Sequence, residues 1–311
     1  MHNGTSMTTD TTATATADQF TVVHADPMLV GECPLWHPAE RNIYWVDISG
    51  YKVHRIHPLT GEHREWLMQS EPAAIAIHSH GGLVVALRSG FVHLDTASGE
   101  VTPIAPAPYD TAIARFNDGG VDGAGRFWVG TIYEPRDKPA AEMYCLEKGM
   151  VSLKWSGGMT NSNGLAFAPE QRAMYHADTT AHRIDRYNFD VETGVVSHRE
   201  PFHQFSSDKT NNYGGRPDGA ALDSEGAYWC AMFEGARLLR FSPQGELLRE
   251  IALPLRCPTM VAFGGDDLRT LYITSASHGR SADERAQYPL TGCLLSMRVE
   301  VAGREEPMYL P

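Results

Sequence analysis

Apolar and polar positions alternate along this chain in short runs separated by Gly, Pro, Asp and Asn, and the apolar spacing of an amphipathic helix is nearly absent. That pattern predicts strands joined by turns, hence an all-β protein. The runs also repeat. An aromatic-rich strand, a short gap, a strand carrying an Arg, a turn with Gly and a further strand recur in three places. They are "NIYWVDISGYKVHRIHPLTGEHREWL" from Asn42, "AMYHADTTAHRIDRYNFDVETGVVSHREPF" from Ala173 and "AYWCAMFEGARLLRFSPQGELLREI" from Ala227. Weaker copies begin at Leu83, Arg126 and Thr270. With Tyr44, Val84, Phe127, Tyr175, Tyr228 and Tyr272 as register marks, the spacings are 40, 43, 48, 53 and 44 residues. A β-repeat of that period is the mark of a propeller blade. Six marks predict a six-bladed β-propeller, the widest spacing holding the insertion "HQFSSDKTNNYGGRP".

Each repeat is preceded by a further strand: "GECPLWHPAE", "PAAIAIHSHGG", "RFNDGGVDGAG", "SNGLAFAPEQ", "PDGAALDSEG" and "PTMVAFGGDD". The first strand of a propeller blade lines the central channel. The polar residues that open these strands, Glu32, Asn117, Asp118, Asn163 and Asp218, are therefore expected at one mouth of the channel. Carboxylates brought so close repel one another unless a cation neutralises them. Oxygen ligands suit hard divalent ions, and three protein ligands leave room for water and substrate. The rival reading is local: "RPDG" and "NSNG" are good turn sequences, and Glu32 is a solvated rim residue. Periodicity alone leaves the two open.

Composition narrows the field. A formal net charge of −12 without a block of five like charges argues against nucleic-acid backbone binding. The five cysteines, Cys33, Cys145, Cys230, Cys257 and Cys293, form no C-x-x-C, which argues against a zinc ribbon or a disulfide framework and fits a reducing, cytoplasmic setting. Residues 1–19 are Thr- and Ala-rich without a basic region followed by an apolar one. They read as a disordered tail rather than a signal peptide, leaving 20–311 as a single propeller domain. No apolar run is long enough to span a membrane.

The motifs "GECPLWHPAERNIYWVDISGYKVHRI", "RFNDGGVDGAGRFWVGT", "NSNGLAFAPE", "RPDGAALDSEGAYW", "PTMVAFGGDDLRTLYITSAS" and "LTGCLL", in this order, resemble the senescence-marker-protein/gluconolactonase/luciferin-regenerating-enzyme family, over about Val30 to Tyr309. The resemblance implies a six-bladed propeller with one divalent metal ion (Ca, Mg, Mn, Zn or Fe(II)) in the channel, and hydrolysis of a pentono- or hexonolactone such as arabinono-, xylono- or gluconolactone. It places metal ligands at Glu32, Asn163 and Asp218, the general base at Asp218 and substrate contacts at Arg115 and Asn117. The acid that some members carry just beyond the "GT" of the third blade matches Glu134.

Other chemistries find no support. There is no G-x-S-x-G, H-E-x-x-H or G-x-x-x-x-G-K-[ST]. His78 and His80 share a strand face but lack an evident third ligand, and His54, His57, His176 and His182 read as scattered. Trp36, Trp45, Trp128 and Trp229 are expected in the blade core. A phosphotriester or other ester hydrolase, or a calcium-binding propeller without activity, remain as alternatives. The excursion over 276–292 is expected to be a rim loop or a closure element.

Overall fold

The computed structural model describes residues 19–170, 172–211 and 213–311, so the tail expected over 1–19 lies, apart from Gln19, outside the described residues. Among the described residues the strands form six four-stranded antiparallel sheets, the six expected blades. The inner strands are Gly31–His37, Pro72–Ile77, Ala114–Val121, Ser162–Phe167, Arg216–Leu222 and Pro258–Gly264, in blades 1 to 6. Each packs against the next, and the sixth returns to the first. Inner and second strands are largely buried, completely so in "PAAIAI" and "NIYWVD", because neighbouring blades cover both faces. Outermost strands such as His63–Leu67 alternate instead, with Trp66 turned in and charged residues turned out.

The blade core holds the expected tryptophans, with Trp36, Trp45, Trp128 and Trp229 all buried. Two of them satisfy their indole N–H through a repeated device. Asp122 accepts from Trp128 Nε1 at 2.8 Å, and Asp223 accepts from Trp229 Nε1 at 2.9 Å. Each Asp also caps its own turn, through Ala124 and Arg126 N–H in one case and Glu225 and Ala227 N–H in the other.

Two closures were not read from the sequence. Thr21–His24 pairs with Leu294–Arg298 and becomes the outermost strand of blade 6, so the chain's beginning locks the ring. The C-terminal tail crosses the far end of the channel. Arg304–Pro307 and the later halves of the inner strands enclose a cavity of about 90 Å³. Tyr309 N–H then bonds Ile77 O at 2.8 Å and Leu310 N–H bonds Gly125 O at 2.9 Å. The tail stoppers that end and leave the mouth formed by the starts of the inner strands. Within 276–292 the chain forms one short helix, Ala282–Gln287, capped by Ser281. None of the helices among the described residues is long and apolar enough to cross a membrane.

All six inner strands carry one extra residue against their second strand. Such a bulge bends the strand and re-aims side chains. In blade 5 the pairs Pro217↔Met232 and Ala220↔Cys230 leave Asp218 and Gly219 opposite one residue. In blade 3, Asn117 and Asp118 occupy the same two positions. Glu32 and Asn163 each sit one residue earlier, as the last paired residue before the bulge. The polar openings expected to be counterparts are thus offset by one position between blades. In blades 1 and 4 the following residue takes positive φ, 46° at Cys33 and 55° at Gly164. Gly164 is required there, because a Cβ would meet Tyr228 Oη at 2.2 Å.

Candidate functional site

The bulges gather Glu32, Arg115, Asn117, Asp118, Asn163 and Asp218 at one end of the channel, and all but Arg115 are buried. A chain of hydrogen bonds links blades 3, 4 and 5. Arg115 donates to Asn117 Oδ1 at 2.8 Å and to Phe116 O at 2.9 Å. Asn117 Nδ2 donates to Asn163 Oδ1 and to Ser162 O, both at 2.9 Å. Asn163 Nδ2 donates to Thr179 Oγ1 at 2.6 Å, and Thr179 Oγ1 donates to Pro217 O at 2.7 Å. The amide nitrogen of Asn163 is thereby committed, which leaves its oxygen as the atom offering a lone pair to the channel. Thr179 follows Asp178, whose carboxylate accepts from Thr160, Asn161 and Thr180 N–H and fixes the approach to the inner strand. Asp47 does the same for blade 1, accepting from Leu29, Val30 and Gly50 N–H.

Three carboxylates lie near enough to repel one another, although their oxygens do not all come within 4.8 Å, and among the described residues none of the three has an ion pair with Lys or Arg. Burial first, then Asp218 and Asp118, push the Glu32 carboxyl well above its usual range. Burial and then Asp118 do the same to Asp218, against a smaller opposing pull from Arg216 and Arg115. Among the described residues none donates a hydrogen bond to the Asp218 carboxylate. Asp118 is pushed up to about 7 by burial, although Leu165, Gly119 and Gly164 N–H groups hold it down. Its oxygens are largely occupied, by Gly119 N–H at 2.7 Å and Leu165 N–H at 3.0 Å. Asp118 is thus a structural acid of blade 3 as well as a source of negative potential. The donors aimed at the channel are oxygens throughout. Cys33, beside Glu32, is a small buried filler. Its sulfur accepts Ile75 N–H at 3.3 Å, and burial raises its thiol.

The rim carries charge in pairs. Glu134 receives both Arg88 nitrogens, at 2.7 and 3.0 Å, and lies 3.8 Å from Arg115 Nε. It therefore stands beside the arginine that the sequence expected to hold substrate. Arg115 pairs with neither Asp118 nor Asp122, the structural partners it might have had; Asp122 is bound by Arg126 at 2.7 Å. Across the mouth, Lys209, Arg216 and Arg280 share one carboxylate, Glu234, at 3.0, 3.6 and 3.3 Å. Among the described residues, buried Arg216 Nε has no hydrogen-bond partner. Arg88, Thr179, Asp178 and this cationic cluster went unread in the sequence. The repeat "VDIS"/"ADTT" was the available signal for Asp178 and Thr179.

Comparison with known proteins accords with this architecture. Residues 30–277 match the family model described as SMP-30/Gluconolactonase/LRE-like region. The chain is 44% identical over 283 residues to 6-deoxy-6-sulfogluconolactonase of Pseudomonas putida, covering 91% of this chain and 96% of that one. It is 34% identical over 283 residues to a pentonolactonase of Haloferax volcanii, covering 89% and 93%. Its fold superposes with a TM-score of 0.88, at 28% identity and 93% and 97% coverage, on the calcium-binding protein regucalcin of Agrobacterium tumefaciens. The chain belongs to the SMP-30/gluconolactonase/LRE-like family, and with it to the sugar lactonases, hydrolases of carboxylic esters.

Proposed function

We propose that this chain hydrolyses an aldonolactone at the channel mouth, using one divalent cation held by Glu32, Asn163 and Asp218. The observation that carries the reading is the burial of Glu32, Asp118 and Asp218 near enough to repel one another, with no hydrogen bond to the Asp218 carboxylate among the described residues. An all-oxygen donor set with excess negative charge fits a hard divalent ion. When bound, such an ion supplies Lewis-acid polarisation of the lactone carbonyl.

The chain's own groups do the rest. Asp218, fixed at the bulge by Pro217 and Gly219, takes a proton from the attacking water. The water oxygen adds to the lactone carbonyl carbon, the bond from that carbon to the ring oxygen breaks, and the ring oxygen leaves as a hydroxyl carrying the proton that Asp218 returns. Arg115, held by Phe116 O and Asn117 Oδ1, presents its remaining N–H groups to the sugar. Glu134 and Arg88 fix the orientation of Arg115 at the rim and offer the polyol an acceptor.

Within this class the rim favours a lactone with an anionic group at its far end. Three cations sharing Glu234 leave net positive charge beside Asp218, and Arg216 keeps a donor unpaired. The sulfonated sugar lactone in the name of the Pseudomonas relative meets that description.

The test is reconstitution. Chelated protein is mixed with a panel of divalent ions, calcium first, and acid release is followed from gluconolactone, pentonolactones and a 6-sulfonated gluconolactone, with spontaneous opening subtracted. Restored turnover is expected with at least one ion, with kcat/KM highest on the sulfonated lactone. Absence of turnover on every lactone with every ion overturns the reading. Equal kcat/KM on neutral and sulfonated lactones overturns only the assignment of the rim.

A further inference from the structure

The junction that closes the ring holds a second set of metal-ligating side chains. His24 ends the closing strand Thr21–His24 of blade 6. His54 lies in the third strand of blade 1, Lys52–Ile56, and His63 begins its outermost strand, His63–Leu67. Among the described residues this is the one set of three His, Cys, Asp or Glu whose ligand atoms all lie within 4.8 Å of one another. His54 Nδ1 and His63 Nε2 are 3.2 Å apart. Two nitrogens on a tetrahedral zinc, each bonded at 2.0–2.1 Å, stand about 3.3 Å apart. The ring centroids of His24 and His63 are 4.7 Å apart, and those of His24 and His54 5.8 Å.

The surroundings suit a cation. Trp45 stacks on His54 at 5.0 Å and forms an apolar floor. His54 Nε2 is buried without a partner, so the ring's polar anchoring lies on the Nδ1 side, toward His63. The groups facing the cluster are Glu65, whose Oε2 is 3.7 Å from His54 Nδ1, Lys52, which holds Glu65 at 2.7 Å, and Asp26. Glu65 and Asp26 offer negative charge to offset a bound ion, and Glu65 stands where it can complete the coordination or orient a ring. Burial is graded: His54 is buried, His24 is half-buried and His63 is exposed, which gives an ion a path in from solvent. Burial also keeps the three imidazoles below their ordinary range, hence neutral and in the ligand form at neutral pH.

We propose that His24, His54 and His63 bind a zinc-class divalent cation that clasps the closing strand of blade 6 to blade 1. The set is nitrogen-based, and imidazole prefers zinc, copper and nickel over calcium and magnesium. It therefore selects a different ion from the all-oxygen channel mouth. The three residues come from the strand that completes blade 6 and from blade 1, so an ion bound here favours the state in which that strand is held against blade 1.

The experiment uses the full chain carrying Glu32→Gln and Asp218→Asn, so that binding at the channel does not obscure the result. Zn²⁺ and Co²⁺ are titrated into this protein and into the same protein carrying His63→Gln, a change at an exposed position. The parent is expected to bind one equivalent, to show the visible bands of low-coordinate cobalt, and to unfold at a higher temperature. At a hundredfold excess over Kd the midpoint rises by about 5 °C, with loss of the gain on chelation. His63→Gln is expected to weaken binding at least tenfold and to abolish the thermal gain, whereas Ca²⁺ and Mg²⁺ leave both proteins unchanged. Absence of zinc or cobalt binding to the parent overturns the site. So does binding that His63→Gln leaves intact.

Discussion

Blades 2 and 5 share a plan and differ in outcome. Near the start of both inner strands a proline pairs with the second strand, Pro72 with Leu87 and Pro217 with Met232, and both bulge immediately afterwards. In blade 2 the residue after proline is Ala73, and "PAAIAI" is apolar core on every side. In blade 5 it is Asp218, buried against Asp118 and Glu32. Blade 6 repeats the device with Pro258 and Thr259. The propeller thus supplies the same bulge at each blade start, and a single residue decides whether the place is packing or chemistry. The choice has opposite consequences for stability: Ala73 contributes burial, whereas Asp218 places charge where like charges already crowd.

That contrast can be broken in order of effect. Asp218→Asn should lower kcat on the restored lactone by about 10²–10⁴-fold, the range for losing a general base. In chelated protein it should raise the thermal midpoint, because a buried carboxylate is gone. Kinetics and calorimetry on the same sample check both halves. Ile75→Ala in blade 2 should do the reverse. Ile75 is fully packed, so about 2–5 kcal/mol of stability is lost by denaturant titration, with kcat/KM per folded molecule within about twofold of wild type. Thr179→Val sits between these. It removes the hydroxyl that holds Asn163 Nδ2 and Pro217 O. It should weaken divalent-ion affinity by about tenfold, with a stability loss of about 1–3 kcal/mol from the unpaired buried groups. Titration of the chelated variant with the activating ion tests this.

The smallest effect concerns pH. His176, buried beside the bulge of blade 4 and 2.9 Å from Ser162 Oγ, is held down to about 3 by burial, with Arg183 adding to it. The unfolded chain takes up that proton near pH 6.5, before the folded chain does. The stability linked to His176 is therefore complete above about pH 6.5 and declines as pH falls toward 3. His176→Gln should flatten the thermal midpoint over that window relative to wild type. An unchanged slope would show that other groups govern acid sensitivity.

Much of this was legible in the sequence, for a physical reason. A repeat with six copies averages out local ambiguity, so the blades, their inner strands and the tryptophan core followed from spacing and alternation. Glu32, Arg115, Asn117, Asn163 and Asp218 stand in the opening residues of inner strands, and the ring then brings those openings to one end of the channel. The bulge register was not legible: "GECP", "RFND", "NSNG" and "RPDG" look equivalent as strings, yet the polar residue stands one place earlier in blades 1 and 4 than in blades 3 and 5. Asp118 was expected at the mouth with the others, but its capture by Gly119 and Leu165 N–H groups depends on that register. The closing strand and the C-terminal stopper were also missed, because their partners lie at the opposite end of the chain and no local pattern announces them. His54 read as scattered for the same reason, since His24 approaches it only through ring closure.

The central claim is that Glu32, Asn163 and Asp218 hold one divalent cation at the channel mouth. Crystals of the chelated protein, soaked in Mn²⁺ and measured for anomalous scattering, address it most directly. The account predicts one peak within bonding distance of oxygens from all three side chains, and its loss in Asp218→Asn. A channel mouth without a peak in protein that Mn²⁺ activates, or a peak there that Asp218→Asn leaves unchanged, would contradict it.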